Sequence, residues 1–390
     1  MCMVLTGRLI GLLPFLVHTI HTDMRILIAT GLSFPDIGGP ATYTKFLVTH
    51  LPQQGIECDV VSFRSVRMLP KIIRHLAYFF LLLKKGYRAD TLYALDAVSV
   101  GIPALCASII LRKKLYLRVP GDYAWEQGQQ RFGLNRTLDE YLLEKEKPFM
   151  VRFLAFLQRT VANRAVKIIV PSEYMKGVVM KWGVSEEKIF RIYSALNPIV
   201  IAESKDALRS RFAYTGFVVV TSARLVPWKG ITALVSVVAT LHAEGIDIAL
   251  EIIGEGTEYV HLKKSIEERK AEGYIHLRGA VPKQELSERV SGGDVFVLNT
   301  SYEGLSHQLL EVMDIGVPII TTPVGGNVEL VSHEREALLV PFNDETALRT
   351  ALIRMKSDTL LRDTLVRNGK EKVAQFREEV IIPKIVKIIL

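Results

Sequence analysis

Short runs rich in Val, Ile and Leu alternate with segments of helical periodicity along almost the whole chain, which is typical of parallel sheets covered by helices on both faces. In the first half we predict strands at residues 25–30, 59–63, 91–94, 114–119 and 167–170. In the second half we predict strands at residues 217–221, 249–253, 275–277, 295–298, 318–321 and 337–340. The pattern therefore indicates an α/β protein in which two doubly wound, Rossmann-like domains face each other across a cleft.

The first series of strands ends before Asn197-Pro198, and a helical segment at 205–212 precedes the second series. We therefore divide the 390-residue chain near 198–205, into domains at residues 24–200 and 201–375. Residues 376–390 form a predicted C-terminal helix that can pack back on the first domain.

Residues 1–23 differ from the rest of the chain. An apolar run at 9–20 lacks the small-residue cleavage site of a signal peptide and is shorter than the about 20 apolar residues that span a bilayer. We interpret this leader as a surface anchor or as sequence upstream of a start at Met24. Three cysteines are too few for a disulfide framework, which favours a cytoplasmic location. His18 and His21 have no further ligand beside them, so no metal site is expected there.

Positive charge is concentrated in the first half of the chain. Residues 1–200 carry 26 Lys and Arg against 15 Asp and Glu, whereas residues 201–390 carry 23 against 26. A basic half favours an anionic partner. No zinc module, helix-turn-helix or RNP-like pattern occurs in the sequence, so nucleic acid is not an expected partner.

A basic helix is predicted within residues 61–90. The residues that share its basic face are Lys71, Arg74, His75, Tyr78 and Lys85. Such a helix can lie on an anionic membrane surface, with the basic cluster 112–114 adding to the attraction, or it can simply cover the first sheet.

Two cations follow the first strand of the second series. Arg224 and Lys229 lie on the loop between that strand and an apolar helix. Ligands of open α/β sheets bind beyond the carboxyl ends of the strands, where cations and a helix N-terminus can hold a diphosphate. By themselves, Arg224 and Lys229 can equally be solvent-exposed loop residues that bind no ligand.

A second loop with polar residues follows the fourth strand of the second series. It contains Glu303 and Gly304, and its backbone N–H groups around Leu305 and Ser306 form a second candidate anion site. Glu311 lies in the following helix among apolar residues and needs a polar partner, which can be a ribose diol or a structural cation.

Glu303 and Glu311, with Arg224 and Lys229 some eighty residues earlier, resemble the E-x7-E and R/K pattern of the retaining glycosyltransferases of family 4, which have the GT-B fold. The resemblance covers most of residues 24–380, and its specific part is the second half. Further elements in the order that the family shows are Gly254-Glu255-Gly256, Arg278-Gly279, Gly325-Gly326 and, in the first domain, the glycine-rich loop 34–40 that includes Gly39.

The resemblance implies transfer of a sugar from a UDP- or GDP-linked donor to an acceptor hydroxyl, with retention of the anomeric configuration. The second domain would bind the nucleotide sugar, and the first domain the acceptor. The basic helix of the first domain, as a membrane contact, favours a glycan or polyprenyl-linked acceptor. Arg224 and Lys229 are assigned to the diphosphate, Glu311 to the ribose and Glu303 to the donor sugar. Donor contacts are also implied for Gly39, Gly254, Gly256, Arg278, Gly304, Leu305 and Ser306. No cofactor or metal is required, because cations and helix ends can neutralise the diphosphate.

The first domain departs from the family pattern, in which a histidine lies near the reacting centre. The matching stretch, 118–126, contains no histidine. We therefore expect Arg118 and Asp122 to contact the acceptor, with Asp122 as the candidate base, although a turn at Pro120-Gly121 explains the same residues. His307 stands three residues after Gly304, where it is a candidate contact to phosphate or sugar, or a helix cap.

Two other functions fit the same cleft. A nucleotide-sugar epimerase needs acid and base groups around the sugar and releases no nucleotide diphosphate as its normal product. A non-catalytic nucleotide-sugar-binding subunit keeps the fold without turnover. Dinucleotide oxidoreductases and P-loop phosphotransferases are disfavoured, because G-x-G-x-x-G does not follow the first strand and G-x-x-x-x-G-K-[ST] is absent from the sequence.

Overall fold

A computed structural model describes residues 24–33 and 39–390 of the chain. The predictions for the leader, for His18 and His21, and for most of the glycine-rich loop lie outside these residues. Within the described ranges, no helix combines the length and apolar character that crossing a membrane requires.

The first half of the chain builds one parallel sheet with helices on both faces. Its strands are β1 (Met24–Thr30), β2 (Ile56–Ser62), β3 (Thr91–Ala94), β4 (Lys114–Arg118), β5 (Lys167–Val170) and β6 (Ile189–Arg191). Its helices are α1 (Gly39–His50), α2 (Lys71–Gly86), α3 (Gly101–Leu111), α4 (Tyr123–Arg131), α5 (Leu138–Leu143), α6 (Phe149–Arg164) and α7 (Glu173–Lys181). The strand order is β2-β1-β3-β4-β5-β6. Central strands such as β3 are buried on both faces, so they read as continuous apolar runs.

The second half repeats this plan. Its strands are β7 (Phe217–Ser222), β8 (Ile248–Ile253), β9 (Ile275–Gly279), β10 (Val295–Leu298), β11 (Ile319–Thr321) and β12 (Leu338–Leu339). Its helices are α8 (Lys205–Phe212), α9 (Ile231–Ala243), α10 (Tyr259–Glu268), α11 (Lys283–Gly292), α12 (His307–Ile315), α13 (Asn327–Leu330), α14 (Glu345–Ser357), α15 (Thr359–Val373) and α16 (Glu378–Ile389). The strand order is β12-β11-β10-β7-β8-β9, again all parallel.

The two doubly wound sheets agree with the strands that the sequence predicts, and β3, β5 and β10 match to the residue. The sequence does not predict β6. This strand has three residues at the edge of the sheet, and of these only Ile189 is buried, so its apolar pattern is too short to stand out.

The last helix, α16, returns to the first sheet. Leu196 N donates a hydrogen bond to Phe376 O (2.8 Å) where the two chain segments meet. Ile381 and Ile385 are fully buried in one apolar cluster with Ile26 of β1. Each buried side chain of this size contributes about 1.5–3 kcal/mol. The domain boundary near 198–205 stays a prediction.

Helix α2 packs on the first sheet partly through the face that the sequence predicts to be basic. Tyr78 is fully buried, and its hydroxyl donates to Val61 O (2.9 Å). Ile73, Leu76 and Phe80 are exposed instead. Of the predicted basic face, Tyr78 therefore lies toward the sheet, whereas His75 and Lys85 are exposed, and a membrane contact of this face stays a prediction.

Candidate functional site

The second sheet has a topological switch point between β7 and β10, where neighbouring strands lead to opposite edges of the sheet. Ligands of doubly wound folds bind in the crevice beyond the carboxyl ends of such strands. Arg224 and Lys229 follow β7, and Glu303 follows β10. Three of the charged residues that the sequence predicts for the site therefore come from the two loops at this point.

Lys229 and Glu303 form an ion pair in this crevice. Lys229 ends the 3₁₀ turn Pro227–Lys229, and its Nζ contacts Glu303 Oε1. The two side chains are only 13% and 17% exposed, so their attraction is screened less than that of a surface pair. An entering phosphate can replace the carboxylate beside Lys229.

Arg224 meets a carboxylate of the first domain. Its Nη2 lies 3.3 Å from Glu126 Oε2, and its guanidinium lies 5.4 Å from the centre of the Trp228 ring. Burial raises the pKa of Glu126, and Arg224 opposes that rise. Glu126 is not predicted from the sequence, where its only signal is its position just after the loop that follows β4.

Aromatic rings join the two domains beside these charges. Trp125 of α4 contacts Tyr302 edge-on, with 4.6 Å between ring centres, and lies 5.4 Å from Trp228. A Cβ on Gly304 would lie 2.2 Å from Pro120 O, so only glycine allows this close approach of the domains. The predicted donor contact of Gly304 stays a prediction.

Gly254 and Gly256 support the loop that carries Arg224. A Cβ on Gly254 would lie 1.9 Å from Ala223 O, and one on Gly256 would lie 2.1 Å from Leu225 O. Glycine at both positions therefore lets the backbone on either side of Arg224 pack against the end of β8. Direct donor contacts of the two glycines stay predictions.

The start of α12 has the backbone geometry of an anion site. Ser306 is the N-cap residue, and its Oγ accepts a hydrogen bond from Leu309 N (3.3 Å). The first N–H groups of a helix have no acceptor within the helix, and they lie at the positive end of its dipole. Gly326 N donates to Glu303 O (2.9 Å), which holds the preceding loop in place. Donor contacts of Leu305 and Ser306 stay predictions.

Glu311 lies further along α12 and has a partner of its own. Its Oε1 accepts a hydrogen bond from Lys283 Nζ at 2.7 Å, and its side chain is half-buried. The sequence allows either a cation or a ribose diol as the partner of Glu311. In the structure the partner is the cation Lys283, and the ribose contact stays a prediction. Across the part of the chain that the structure describes, no three His, Cys, Asp or Glu side chains group closely enough to hold a metal ion.

Arg278 belongs to a structural triad. Its Nε and Nη2 donate to the two carboxylate oxygens of Glu251 at 2.8 and 2.7 Å, and Arg289 Nη1 donates to the same carboxylate at 3.2 Å. Glu251 is buried, and a buried carboxylate requires such compensation. Arg278 thus compensates Glu251 and ties β8 to β9, and its predicted donor contact stays a prediction.

Asp122 is fully buried and caps the N-terminus of α4. Its Oδ1 accepts from Trp125 N (2.9 Å) and Gln158 Nε2 (3.1 Å), and its Oδ2 accepts from Trp182 Nε1 (3.0 Å). Burial raises the pKa of Asp122, and these three donors oppose the rise. Because both oxygens face the domain interior, we correct the prediction of an acceptor-binding base to a structural helix cap.

Arg118 lies in a cavity of about 70 Å³ between the domains, which we call the Arg118 pocket. Residues that line it include Gly39, Tyr43, Arg118, Ser194, Leu305 and His307. Burial, together with the nearby charges of Arg118 and Lys283, lowers the pKa of His307 to about 4, so His307 is neutral near pH 7. The structure thus brings predicted residues of both domains, Gly39, Arg118 and Leu305, to one cavity.

The second half of the chain is similar in sequence to known glycosyltransferases. Residues 205–372 match the family described as glycosyl transferases group 1. WcaL of Salmonella typhimurium, whose name describes a colanic acid biosynthesis glycosyltransferase, is 32% identical over 165 residues, which are 40% of this chain and 40% of that protein. The chain thus matches less than half the length of this curated relative.

Two solved structures match almost the whole chain. HepE of Anabaena, in complex with UDP-glucose, has a TM-score of 0.75 and 18% identity, over 94% of this chain and 99% of that chain. Sucrose-phosphate synthase from Thermosynechococcus elongatus has a TM-score of 0.77 and 18% identity, over 94% of this chain and 98% of that chain. At this identity the likeness concerns the fold. It confirms the predicted GT-B architecture of two Rossmann-like domains facing each other across a cleft.

Proposed function

We propose that this chain is a retaining glycosyltransferase of family 4 that moves a sugar from a nucleotide-diphosphate donor to an acceptor hydroxyl. The observation that carries the proposal is the ion pair of Lys229 and Glu303 at the switch point, with Arg224 beside it. Lys229, Arg224 and the first N–H groups of α12 neutralise the departing diphosphate. Glu311 exchanges Lys283 for the ribose hydroxyls. Losing one such preorganised group costs about 3 kcal/mol of transition-state stabilisation.

In the proposed reaction, the bond between the anomeric carbon and the diphosphate oxygen breaks, and its electron pair leaves with the diphosphate. The acceptor oxygen bonds to the anomeric carbon on the same face, and its proton passes to the departing phosphate oxygen. Attack on this face retains the anomeric configuration. Glu303 stabilises the positive charge that develops on the sugar ring or accepts hydrogen bonds from its hydroxyls. No side chain has to act as the base, which agrees with the buried position of Asp122.

The donor in this proposal is a UDP- or GDP-linked sugar, and the acceptor is a glycan or a polyprenyl-linked glycan in polysaccharide biosynthesis. HepE in complex with UDP-glucose supports the nucleotide sugar. The name of WcaL supports the biosynthetic role.

A thermal-unfolding screen with nucleotide sugars tests the donor site, because a ligand that binds the folded chain raises its Tm. We expect a UDP- or GDP-sugar to raise the Tm of the wild type, and Lys229→Ala to lose most of the shift. Lys263→Ala is the matched control, since Lys263 lies on α10 and is 64% exposed, and it should keep the full shift. Equal shifts in the wild type and Lys229→Ala would exclude the assigned diphosphate site.

Product analysis with the nucleotide sugar that binds separates the transferase from its alternatives. A transferase yields a glycosylated acceptor and free nucleotide diphosphate in equal amounts, with the sugar in its original anomeric configuration. An isomerised nucleotide sugar would indicate an epimerase. Binding without any product, across a panel of acceptors, would indicate a non-catalytic subunit.

We also propose that the first domain lies on an anionic membrane surface on its cytoplasmic side. Three neighbouring helices expose apolar side chains: Ile73, Leu76 and Phe80 on α2, Ile109 and Ile110 on α3, and Phe149, Phe153 and Phe156 on α6. Exposed cations lie close to these apolar side chains in the sequence: Lys84 in α2, Arg112 directly after α3 and Arg152 in α6. Apolar side chains interleaved with cations are typical of surfaces that insert between lipid headgroups.

Vesicle flotation tests this surface. The wild type should float with vesicles that contain phosphatidylglycerol and should bind pure phosphatidylcholine more weakly. Replacing Phe149, Phe153 and Phe156 together by serine should reduce flotation about tenfold or more. The control replaces Val260 and Leu360, exposed apolar residues of the second domain, by serine and should float like the wild type. Equal flotation of the two variants would contradict the assigned surface and leave the transferase proposal intact.

A further inference from the structure

Arg118 is a buried cation without a carboxylate partner among the described residues. It is 4% exposed, and its guanidinium stacks on Tyr43 at 3.6 Å from the ring centre. Nη2 donates to Ser194 Oγ at 3.1 Å, whereas Nη1 is buried and has no hydrogen-bond partner. A buried guanidinium loses its solvation, and neutral partners return only part of that free energy.

Three other partly buried arginines have a carboxylate partner: Arg278 and Arg289 share the carboxylate of Glu251, and Arg377 contacts Asp314. Arg118 is 4% exposed and has no such partner among the described residues. A cation that the fold leaves uncompensated beside a cavity is expected where an anionic ligand supplies the missing charge.

The rest of the Arg118 pocket also suits an anion. Gly39 opens the twelve-residue helix α1, so the N-terminal end of this helix lies at the cavity. The neutral ring of His307 offers one N–H donor, and the hydroxyl of Ser194 offers another. The volume of about 70 Å³ is enough for a carboxylate or phosphate group.

We propose that the Arg118 pocket binds an anionic group of a substrate, a carboxylate or a phosphate, in addition to the diphosphate at Lys229. That the anionic group belongs to a substrate rests on the proposed glycosyltransferase function. Two sources share this chemistry: a uronic acid in the donor, or a phosphate carried by the acceptor. In either case, Nη1 of Arg118 donates to an oxygen of the anion.

Binding measurements on the full chain distinguish the two sources. If the donor is the source, the wild type binds UDP-glucuronate about tenfold or more tightly than UDP-glucose, and Arg118→Met loses this preference but binds UDP unchanged. If the acceptor is the source, the two donors bind alike. Inorganic phosphate then raises the Tm of the UDP-saturated wild type but not that of Arg118→Met. Arg118→Lys keeps the charge and should retain part of either effect.

The stability of Arg118→Met provides a second measurement. Removing an uncompensated buried charge should leave the Tm unchanged or raise it by about 1–4 °C, whereas a merely structural arginine would lower it when lost. The proposal is overturned if neither the carboxylate of the donor nor phosphate distinguishes the wild type from Arg118→Met. Failure of UDP itself to bind would instead count against the proposed function, and phosphate without UDP would still test the pocket.

Discussion

In the second domain, each cation assigned to the site has a carboxylate beside it, whereas Arg118 in the first domain has none among the residues that the structure describes. Lys229 contacts Glu303, and Lys283 contacts Glu311. Asp122, the buried carboxylate of the first domain, is held by neutral donors alone. The two sides of the cleft thus present different electrostatics to a ligand.

The difference bears on how a ligand gains affinity. At Lys229, the proposed phosphate has to displace the carboxylate of Glu303, so the ion pair that it breaks offsets part of its attraction to the cation. At Arg118, an anion compensates a charge that the fold leaves unpaired, so the gain comes from relieving a desolvation cost. We therefore expect substitutions on the second-domain side to affect turnover and substitutions around Asp122 to affect stability.

Asp122→Ala should have the largest effect, a loss of about 3–5 kcal/mol in the free energy of unfolding, because it removes a helix cap and leaves buried donors without acceptors. Denaturant unfolding measures this loss. Asp363→Ala, at an exposed position of α15, is the control and should change stability by less than about 0.5 kcal/mol. Unchanged stability with transfer abolished would restore Asp122 as a catalytic candidate.

Glu303→Gln should reduce kcat about 100-fold, equivalent to about 2.7 kcal/mol, because the neutral amide no longer stabilises positive charge on the sugar. The dissociation constant for UDP should change less than about threefold. Steady-state kinetics and calorimetry give the two quantities. Glu267→Gln, which alters an exposed residue of α10, is the control. A rise in KM alone would show that Glu303 contributes only ground-state binding.

Glu311→Gln and Lys283→Ala form a matched pair, since they remove the two partners of one ion pair. Glu311→Gln should weaken nucleotide binding about tenfold, because a hydrogen bond to a charged group contributes about 1.5–3 kcal/mol. Lys283→Ala should leave binding unchanged or strengthen it, because it frees Glu311 for the ribose. Equal losses of nucleotide affinity in the two variants would mean that the ion pair has a structural role in positioning α12 and that Glu311 does not contact the ribose.

His307→Gln should have the smallest effect, confined to the pH dependence of stability. The pKa of His307 is about 4 in the folded chain and near its ordinary value of 6.5 when unfolded. As the pH falls from 6.5 to 4, the unfolded chain binds a proton that the folded chain does not, so the wild type loses stability. Thermal unfolding across this range should show a steeper decline in the wild type than in His307→Gln. Parallel curves would mean that His307 is accessible to water.

Some residues of the candidate site can be predicted from the local sequence. Arg224, Lys229 and Glu303 follow strands whose apolar runs are distinct, and loops at the carboxyl ends of parallel strands converge on one edge of the sheet. Glu126 gives no comparable signal, because its partner Arg224 is 98 residues away in the other domain. Arg278 and Asp122 resemble site residues by position, but their side chains turn to Glu251 and to the interior of the first domain.

The sequence by itself determined the two parallel sheets and the loops that carry charge. These features follow from local periodicity and from the direction of the chain at each strand end. Only the tertiary structure decided which charges are paired, which face of α2 is buried and that Arg118 has no carboxylate partner within residues 24–33 and 39–390. Those outcomes depend on contacts between segments far apart in the chain, which local residue patterns do not encode.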